Sequence, residues 1–467
     1  MTRLISRAPV RRLTRLALLL GGLLAVGSAA AAAADAPEAL IKQGEYVATA
    51  GDCVACHSAA GGKPFAGGLA IDTPLGTIFS SNITPSKSHG IGDYSYAQFE
   101  RAVRGGVRAD GAHLYPAMPY TAYAGISDED MHALYAYFMQ GVAPVDQAAP
   151  ATALPFPFNI RLSMAAWNLL FLDTRPYTPD AAASAEVNRG AYLAETLTHC
   201  STCHTPRNAL MAEEKGSNLA GSSLGTWFAP NITSDAQSGI GAWQVDELAH
   251  YLKTGFAPGK AQAAGPMAEA IDHSLSHLSD ADRHAIAVWL KQTPPVHEAQ
   301  DSRAAHQWGE AAANVDQLRG AARPANPDAL SGPQLYDAYC ASCHQPDGRG
   351  TPDGGLPSLM HNTALGRNNS DNLVMAILRG VQREPAAQAV NMPAFAPLLS
   401  DTQVATLSNY LLTQFGNPQP QVSPERVTAL RAGGAPSPLL AVARYGMAAG
   451  GIVVLLLLLW GWRRRQR

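Results

Sequence analysis

Two cysteines and a histidine recur in this chain in the order Cys-x-x-Cys-His. The pattern occurs three times and uses all six cysteines of the 467-residue sequence. Two thiols three positions apart on a helical turn lie on the same side of the backbone, where both can add to the vinyl groups of one haem. The histidine that follows is then held against the porphyrin and can ligate the iron, so the pattern predicts covalent haem c attachment. The residues concerned are Cys53, Cys56 and His57, then Cys200, Cys203 and His204, and finally Cys340, Cys343 and His344.

A Cys-x-x-Cys pair has two other common uses, as a redox-active dithiol and as half of a structural zinc site. A redox dithiol does not need the histidine that follows each pair here. A structural zinc ion would need two cysteine pairs close together, whereas these pairs lie about 140 residues apart in the sequence. Three copies with no cysteine left over therefore favour haem and predict three covalently attached haem c groups.

A haem held by histidine alone has an open sixth position. Electron carriers usually close it with methionine, whose soft thioether raises the potential. Met118 lies in a loop between Pro116 and Pro119, a spacing of 149 residues relates it to Met267, and Met392 directly precedes a proline. We predict that Met118, Met267 and Met392 are the sixth iron ligands. The other candidates that remain open are Met131, Met360, Met375, His113, His273 and His277.

The same spacing of 149 residues relates longer stretches of the chain. Residues 75–79 recur as 224–228, and residues 82–84 recur as 231–233. Each copy begins with a predicted helix that carries a tyrosine and ends with a predicted helix that opens on Ser-Asp, a common N-terminal cap. We therefore predict an all-α chain of tandem haem domains. The three domains are placed at 35–146, 186–297 and 330–416, with connectors at 147–185 and 298–329.

Two features of these repeats have more than one interpretation. Residues 156–160 and 167–171 of the first connector are too apolar for a free linker. They either pack against the neighbouring domains or contact a quinone or a partner protein. Arg104, Lys253 and Arg379 each precede a glycine by one or two positions. They either contact a haem propionate or lie solvated at a helix end.

Both ends of the chain are predicted to be targeting or membrane segments. Residues 1–34 combine five arginines, an apolar run at 16–26 and a small-residue zone, as in a secretory signal peptide. Residues 439–462 form an apolar stretch long enough to cross a bilayer. A polar stalk at 417–438 precedes it. The basic tail, 463–467, indicates a cytoplasmic end and places the rest of the chain outside the cytoplasm.

The charge of the chain excludes one class of partner. The signal segment, 1–34, and the basic tail, 463–467, hold nine of the 34 Lys and Arg residues and no acidic residue, which leaves 25 basic against 37 acidic residues between them. A net charge of −12 on this outer part does not suit nucleic-acid binding. It suits solubility and docking to a basic protein surface.

The chain resembles the three-haem cytochrome c subunit of membrane-bound periplasmic dehydrogenase complexes. The stretches that carry this resemblance are 63–68, 82–84, 114–120 and 156–159. The resemblance implies three class-I-like cytochrome c domains at the periplasmic face of the bacterial inner membrane. It also implies a separate large catalytic subunit of the flavin, pyrroloquinoline quinone or molybdopterin type, and ubiquinone or a terminal oxidase as electron acceptor. On this interpretation the chain is not an enzyme on its own.

Two other functions are compatible with three haems in one chain. A multi-haem peroxidase would need an open or displaceable sixth position on at least one iron. A cytochrome subunit through which electrons enter a terminal oxidase would have a partner with many transmembrane helices. We favour electron transfer because each haem has a methionine candidate that would close its sixth position.

Overall fold

The computed structural model describes residues 36–313, 322–352, 355–383, 390–434 and 439–466. The predicted signal peptide, 1–34, lies outside these residues. In the described part, helices dominate and the strands form four two-stranded antiparallel sheets, so the all-α prediction is confirmed. The helices are α1 Glu38–Ala50, α2 Cys53–His57, α3 Tyr96–Gly105, α4 Tyr120–Tyr123, α5 Asp128–Ala136, α6 Ser163–Phe171, α7 Ala185–Tyr192, α8 Cys200–His204, α9 Val245–Thr254, α10 Gly265–His273, α11 Asp280–Leu290, α12 Gly332–Tyr339, α13 Ala341–His344, α14 Thr363–Gly366, α15 Asp371–Arg379, α16 Asp401–Phe415, α17 Pro424–Arg431 and α18 Leu439–Arg465. The paired strands are β1 Ala70–Thr73 with β2 Gly76–Phe79, β3 Ser222–Leu224 with β4 Trp227–Ala229, β5 Phe256–Ala257 with β6 Ala261–Gln262, and β7 Val381–Arg383 with β8 Val390–Met392.

A helix before each Cys-x-x-Cys-His motif packs against a helix that follows the motif. The pairs are α1 with α5, α7 with α11, and α12 with α16. Glycine makes the close approach possible. A Cβ atom on Gly44 would lie 1.9 Å from the carbonyl oxygen of Ala133, and one on Gly190 would lie 2.0 Å from that of Ala285. Any larger residue at these positions would push the two helices apart.

The second helix of each pair begins where the sequence predicts. Ser127, Ser279 and Ser400 adopt extended backbone conformations, and each side chain accepts a hydrogen bond from the backbone N–H three residues later. These bonds satisfy an N–H group that the helix itself leaves without a partner. The serines therefore fix the starts of α5, α11 and α16.

The buried apolar residues form two clusters. The first contains residues from both the first and the second repeat, including Val47, Phe138, Leu193 and Ile286. The second lies in the third repeat and contains Tyr336 among others. The first two motifs are thus built around one continuous core.

Two tyrosines join the first and second repeats in a reciprocal way. The hydroxyl of Tyr46 donates to Asp282 Oδ2 at 2.6 Å and accepts from the backbone N–H of Ser279 at 3.0 Å. The hydroxyl of Tyr192 donates to Asp130 Oδ2 at 2.6 Å and accepts from the N–H of Ser127 at 3.2 Å. Each tyrosine, on the first helix of one repeat, thus binds the capped start of the last helix of the other.

The third repeat is fixed to the second by polar contacts. The side-chain amide of Asn372 exchanges two hydrogen bonds with the backbone of Phe228, each 2.8 Å long. The guanidinium group of Arg383, which is fully buried, pairs with Asp272 at 2.5 Å and donates to the carbonyl of Thr254 at 2.8 Å. A buried cation is stable in such a place because it is both paired and hydrogen-bonded.

The segment predicted as a stalk contains a docked helix. In α17, Val427 and Leu430 are fully buried in the second apolar cluster, and Arg426 pairs with Asp371 at 2.5 Å. The helix docks because Val427 and Leu430 lie on the same helix face. The polar composition of the segment as a whole hides this pattern in the sequence. Residues 435–438 lie outside the described part.

Helix α18 is the one helix of the described residues that is long and apolar enough to cross a membrane. It has 27 residues, a mean hydropathy of 2.0 over its most apolar window, and no buried residue in that window. It continues through the first three arginines of the predicted tail, to Arg465. Such a helix exposes too much apolar surface to be stable in water, which supports the predicted anchor.

Candidate haem-binding sites

Each Cys-x-x-Cys-His motif lies on a short helix. Those helices are α2, α8 and the end of α12 together with α13. Asp52 and His199, which directly precede the first two motifs, adopt left-handed conformations with φ of 51° and 39°. This backbone reversal turns the chain sharply into α2 and α8. None of the six cysteines forms a disulfide, so both thiols of every motif are available for thioether bonds.

The three motif histidines are held in the same way. Nδ1 of His57 lies 2.7 Å from the carbonyl oxygen of Ser81, and the same atom of His204 lies 2.6 Å from that of Pro230. For His344 the partner is the carbonyl oxygen of Pro357, at 2.8 Å. A carbonyl oxygen only accepts, so Nδ1 must carry the proton. Nε2 is left with a free lone pair in each ring, as an iron ligand requires.

Burial sets the protonation of these groups. It lowers the pKa of His57 and His344, and it lowers that of His204 to about 4, with a smaller effect from the charge of Arg367. The imidazoles are therefore neutral at pH 7, which ligation needs. Burial also raises the pKa of Cys53 to about 12 and that of Cys203 to about 11. Redox-active dithiols have lowered thiol pKa values, so these raised values argue against that interpretation.

A single cavity of about 600 Å³ contains the second and third motifs. Its lining is mostly aliphatic and aromatic, with Trp227 and Leu411 on opposite repeats. An apolar space beside a neutral histidine and two thiols suits a porphyrin, so the residues present fit haem. The motif and candidate ligand residues that line it are Cys200, Cys203, His204 and Met267 from the second repeat, and Cys340, Cys343, His344 and Met392 from the third.

The first motif lies beside the second. The Tyr123 hydroxyl donates to the carbonyl of Gly51 at 2.5 Å, and the Tyr123 ring meets that of His199 with centroids 5.6 Å apart. The hydroxyl of Ser274 donates to the carbonyl of Ala50 at 3.0 Å. Consecutive motifs along the chain are therefore also neighbours in space.

The first connector holds the loop that carries Met118. The hydroxyl of Tyr115 donates to the carbonyl of Phe158 at 2.8 Å, and the Arg161 guanidinium lies 4.5 Å from the centre of the Tyr115 ring. On the other side of Met118, the hydroxyl of Tyr120 donates to Asn168 Oδ1 at 2.8 Å. Packing is therefore one role of these apolar stretches.

The opposite face of the same connector is open. Leu162, Leu169 and Leu170 are 73%, 86% and 67% exposed. Aliphatic side chains this exposed on one short segment mark a contact surface. The two interpretations of the connector from sequence are thus compatible, since its inner face packs and its outer face remains available.

The competing ligand candidates lie in different places. Met131 and Met375 are buried in the two apolar cores, with 0% and 2% of their surface exposed. Met360 packs on the edge of the second core. His277 uses Nε2 to contact the carbonyl oxygen of Asp272 at 3.0 Å. Met267 and Met392, by contrast, line the cavity that contains His204 and His344.

Arg104 is buried and so is not solvated at a helix end, whereas Lys253 is exposed in the last turn of α9, as the second interpretation predicts. The buried guanidinium of Arg104 pairs with Asp128 at 2.8 Å, and the ammonium of Lys253 pairs with Asp280 at 2.9 Å. Both basic groups therefore stabilise the first residue of the last helix in their repeat. Arg379 is exposed at the end of α15. The Ser-Asp pairs were recognised in the sequence as helix caps, but their aspartates were not connected with these basic residues.

Comparisons with known proteins agree with this geometry. The cytochrome c family model matches residues 41–141 and 329–415. The fructose dehydrogenase cytochrome subunit of Gluconobacter japonicus is 45% identical over 93% of each chain. The gluconate 2-dehydrogenase cytochrome c subunit of Pantoea cypripedii is 43% identical over 86% of this chain and 91% of its own. The cytochrome c subunit of the quinone-type alcohol dehydrogenase of Gluconacetobacter polyoxogenes is 38% identical over 88% of each.

Proposed function

This chain belongs to the family of dehydrogenase cytochrome c subunits, and on that premise we propose that it carries electrons from a separate catalytic subunit through three haem c groups. The chain is the electron-transfer part of an oxidoreductase complex and not its catalytic part. Its relatives are named as cytochrome subunits, in fructose, gluconate and alcohol dehydrogenases. The final acceptor in the proposal is ubiquinone or a terminal oxidase.

The observation that carries this proposal is the threefold recurrence of one ligand arrangement. In each motif a backbone carbonyl holds Nδ1 of the histidine at 2.6–2.8 Å, and two unpaired thiols lie on the same helical turn. A single such site could arise in many proteins. Three sites with the same hydrogen bond to the histidine favour three similar one-electron centres that act in sequence.

The haem groups supply the one-electron chemistry, and the protein fixes their environment. His57, His204 and His344 would each ligate the iron of one haem through Nε2. Met118, Met267 and Met392 would complete the three ligand sets and favour the reduced state. Hydrogen bonds from the connector hold the loop of Met118, while Met267 lies in the first turn of α10 and Met392 ends β8. Ligands fixed in this way would change position little between the two oxidation states, which would favour fast electron transfer.

We further propose that the chain works at the periplasmic face of the bacterial inner membrane, with three domains at 35–146, 186–297 and 330–416. Helix α18 supports anchoring from the C-terminus. The apolar outer face of the first connector supports contact with a hydrophobic partner surface. The partner is a large dehydrogenase subunit with flavin, pyrroloquinoline quinone or molybdopterin.

The test is to extract the chain from its native membrane in mild detergent and to identify what co-purifies in fixed stoichiometry. We expect a large subunit with one of those organic cofactors, and an intact mass of this chain that includes three haems. A partner with many transmembrane helices and oxygen consumption would indicate a terminal oxidase instead. A high-spin ferric haem that reacts rapidly with peroxide would indicate a peroxidase.

A further inference from the structure

Arg367 is a basic residue of the third repeat that reaches into the second. It follows directly after α14 and lines the large cavity together with His204. Its Nη1 atom donates to the carbonyl oxygen of Ser238, in the second repeat, at 3.3 Å. The guanidinium group therefore lies where the two repeats meet, beside the space that holds the second motif.

The position of Arg367 is fixed by the backbone around it. The N–H of Thr363 donates to the carbonyl of Lys260 at 2.7 Å, four residues before Arg367. Gly366 packs so closely on Ala305 that a Cβ atom would lie 1.7 Å from that carbonyl oxygen. Five residues after Arg367, Asn372 binds the backbone of Phe228. The arginine is thus positioned by the joint between the repeats and not by a flexible loop.

The charge of Arg367 has no carboxylate partner within 4.0 Å among the described residues. Other arginines with little exposed side chain have one: Arg104 pairs with Asp128, Arg283 with Asp280 and Arg383 with Asp272. A guanidinium has five N–H donors, and burying its charge is costly unless an anion accepts from it.

Glu298 and Asp301 line a small pocket with Arg367, but neither pairs with it directly. Asp301 accepts instead from the side chain of Asn368, at 2.6 Å. Burial lowers the pKa of Arg367, and Asp301 and Glu298 only partly offset this. Arg367 therefore keeps N–H donors that can bind an anion in the cavity. A haem carries two such anions, its propionate groups.

We propose that Arg367 binds a propionate of the haem held by Cys200 and Cys203, although it belongs to the repeat that holds the third haem. The inference rests on the proposed function, since it requires a haem at the second motif. That haem is the one concerned because Arg367 donates to the carbonyl of Ser238, in the second repeat, and lines the cavity together with His204, the predicted ligand of that haem. The third repeat then contributes directly to the redox properties of the second haem.

A positive charge at a propionate favours the reduced, less positive iron, so its removal should lower the potential of one haem. The experiment is a spectroscopic redox titration of the full-length chain in detergent, comparing Arg367→Gln, Arg367→Lys and Arg303→Gln. Arg303 is the matched control because it lies near Arg367 but its guanidinium stacks on Trp308. The Cζ atom of Arg303 is 4.0 Å from the centre of the Trp308 ring.

We expect one of three titration components to shift to lower potential in Arg367→Gln. Arg367→Lys, which keeps the charge, should show only a small part of this shift, and Arg303→Gln should leave all three potentials nearly unchanged. Three unchanged potentials in Arg367→Gln would overturn the assignment, as would an equal shift in Arg303→Gln. If Arg367→Gln unfolds, the potentials of the Lys variant decide the test. A lysine ammonium still attracts the propionate but cannot make the bidentate contact of a guanidinium, so we expect a small shift in one component. Fewer than three haems in the unaltered chain would instead contradict the proposed function itself.

Discussion

Replacing Tyr46 or Tyr192 with phenylalanine should destabilise the first and second repeats together. Each hydroxyl donates to a carboxylate at 2.6 Å and accepts from the N–H of the serine that caps the same helix. Loss of a hydrogen bond to a charged group costs ~1.5–3 kcal/mol. Arg189 still pairs with Asp282 in the Tyr46 variant, at 2.7 Å, so we expect the lower part of that range.

The structure also predicts which unfolding transition is lowered and how the two variants combine. Because the two repeats share one apolar core, both variants should lower the same unfolding transition, and the double variant should lower it by roughly the sum, ~3–5 kcal/mol. The assay is denaturant unfolding of the haem-loaded chain, followed by helical circular dichroism. Tyr410→Phe is the matched control, since the Tyr410 hydroxyl makes no hydrogen bond among the described residues and lies in the third repeat.

Two results would refute this reasoning. In the first, Tyr46→Phe and Tyr192→Phe lower two separate transitions, which would mean that the repeats unfold independently. In the second, Tyr410→Phe has an effect of similar size, which would mean that loss of any partly buried hydroxyl destabilises the chain and that the reciprocal contacts have no special role.

Three further predictions follow from particular contacts. Gly190→Ala should lower the free energy of unfolding by ~1–3 kcal/mol because the new Cβ collides with a backbone carbonyl, whereas Gly216→Ala, with no atom within 4 Å, should be close to neutral in the same denaturant assay. Met392→Ala should lower the potential of one haem or open its coordination while the haem stays attached, and Met360→Ala should leave the redox titration and visible spectrum unchanged. For Asp282, burial raises the pKa but hydrogen bonds from Arg189 and Tyr46 outweigh this and lower it. The ionised Asp282 carboxylate therefore stabilises the fold fully above the ordinary aspartate pKa, about 4. This stabilisation is lost as the pH falls through the lowered pKa of the folded state. Asp282→Asn should accordingly reduce the loss of stability on acidification in that range.

The local features of this chain were predictable from its sequence. The spacing of the cysteines gave three short helices with unpaired thiols, and the Ser-Asp pairs predicted the starts of α5, α11 and α16. These features depend on residues a few positions apart, so a single sequence contains the whole signal. The C-terminal helix was also predictable, because its length and apolar composition are enough to indicate a membrane span.

The contacts between repeats were not predictable in this way. Tyr46 and Asp282 are 236 positions apart, and nothing near either residue indicates the other. The orienting carbonyls of Ser81, Pro230 and Pro357 were missed for the same reason, since a backbone acceptor has no signature in residue type. The docking of α17 shows that a polar segment can still bury one apolar face.

The most direct test of the account is substrate-driven reduction of this chain inside its native complex. The complex is mixed anaerobically with the substrate of its catalytic subunit while the haem absorbance is recorded, and a ubiquinone analogue is then added. The account predicts that three haems per chain become reduced and that the quinone reoxidises them. Haems that remain oxidised while the substrate is consumed would contradict a role for this chain in electron transfer.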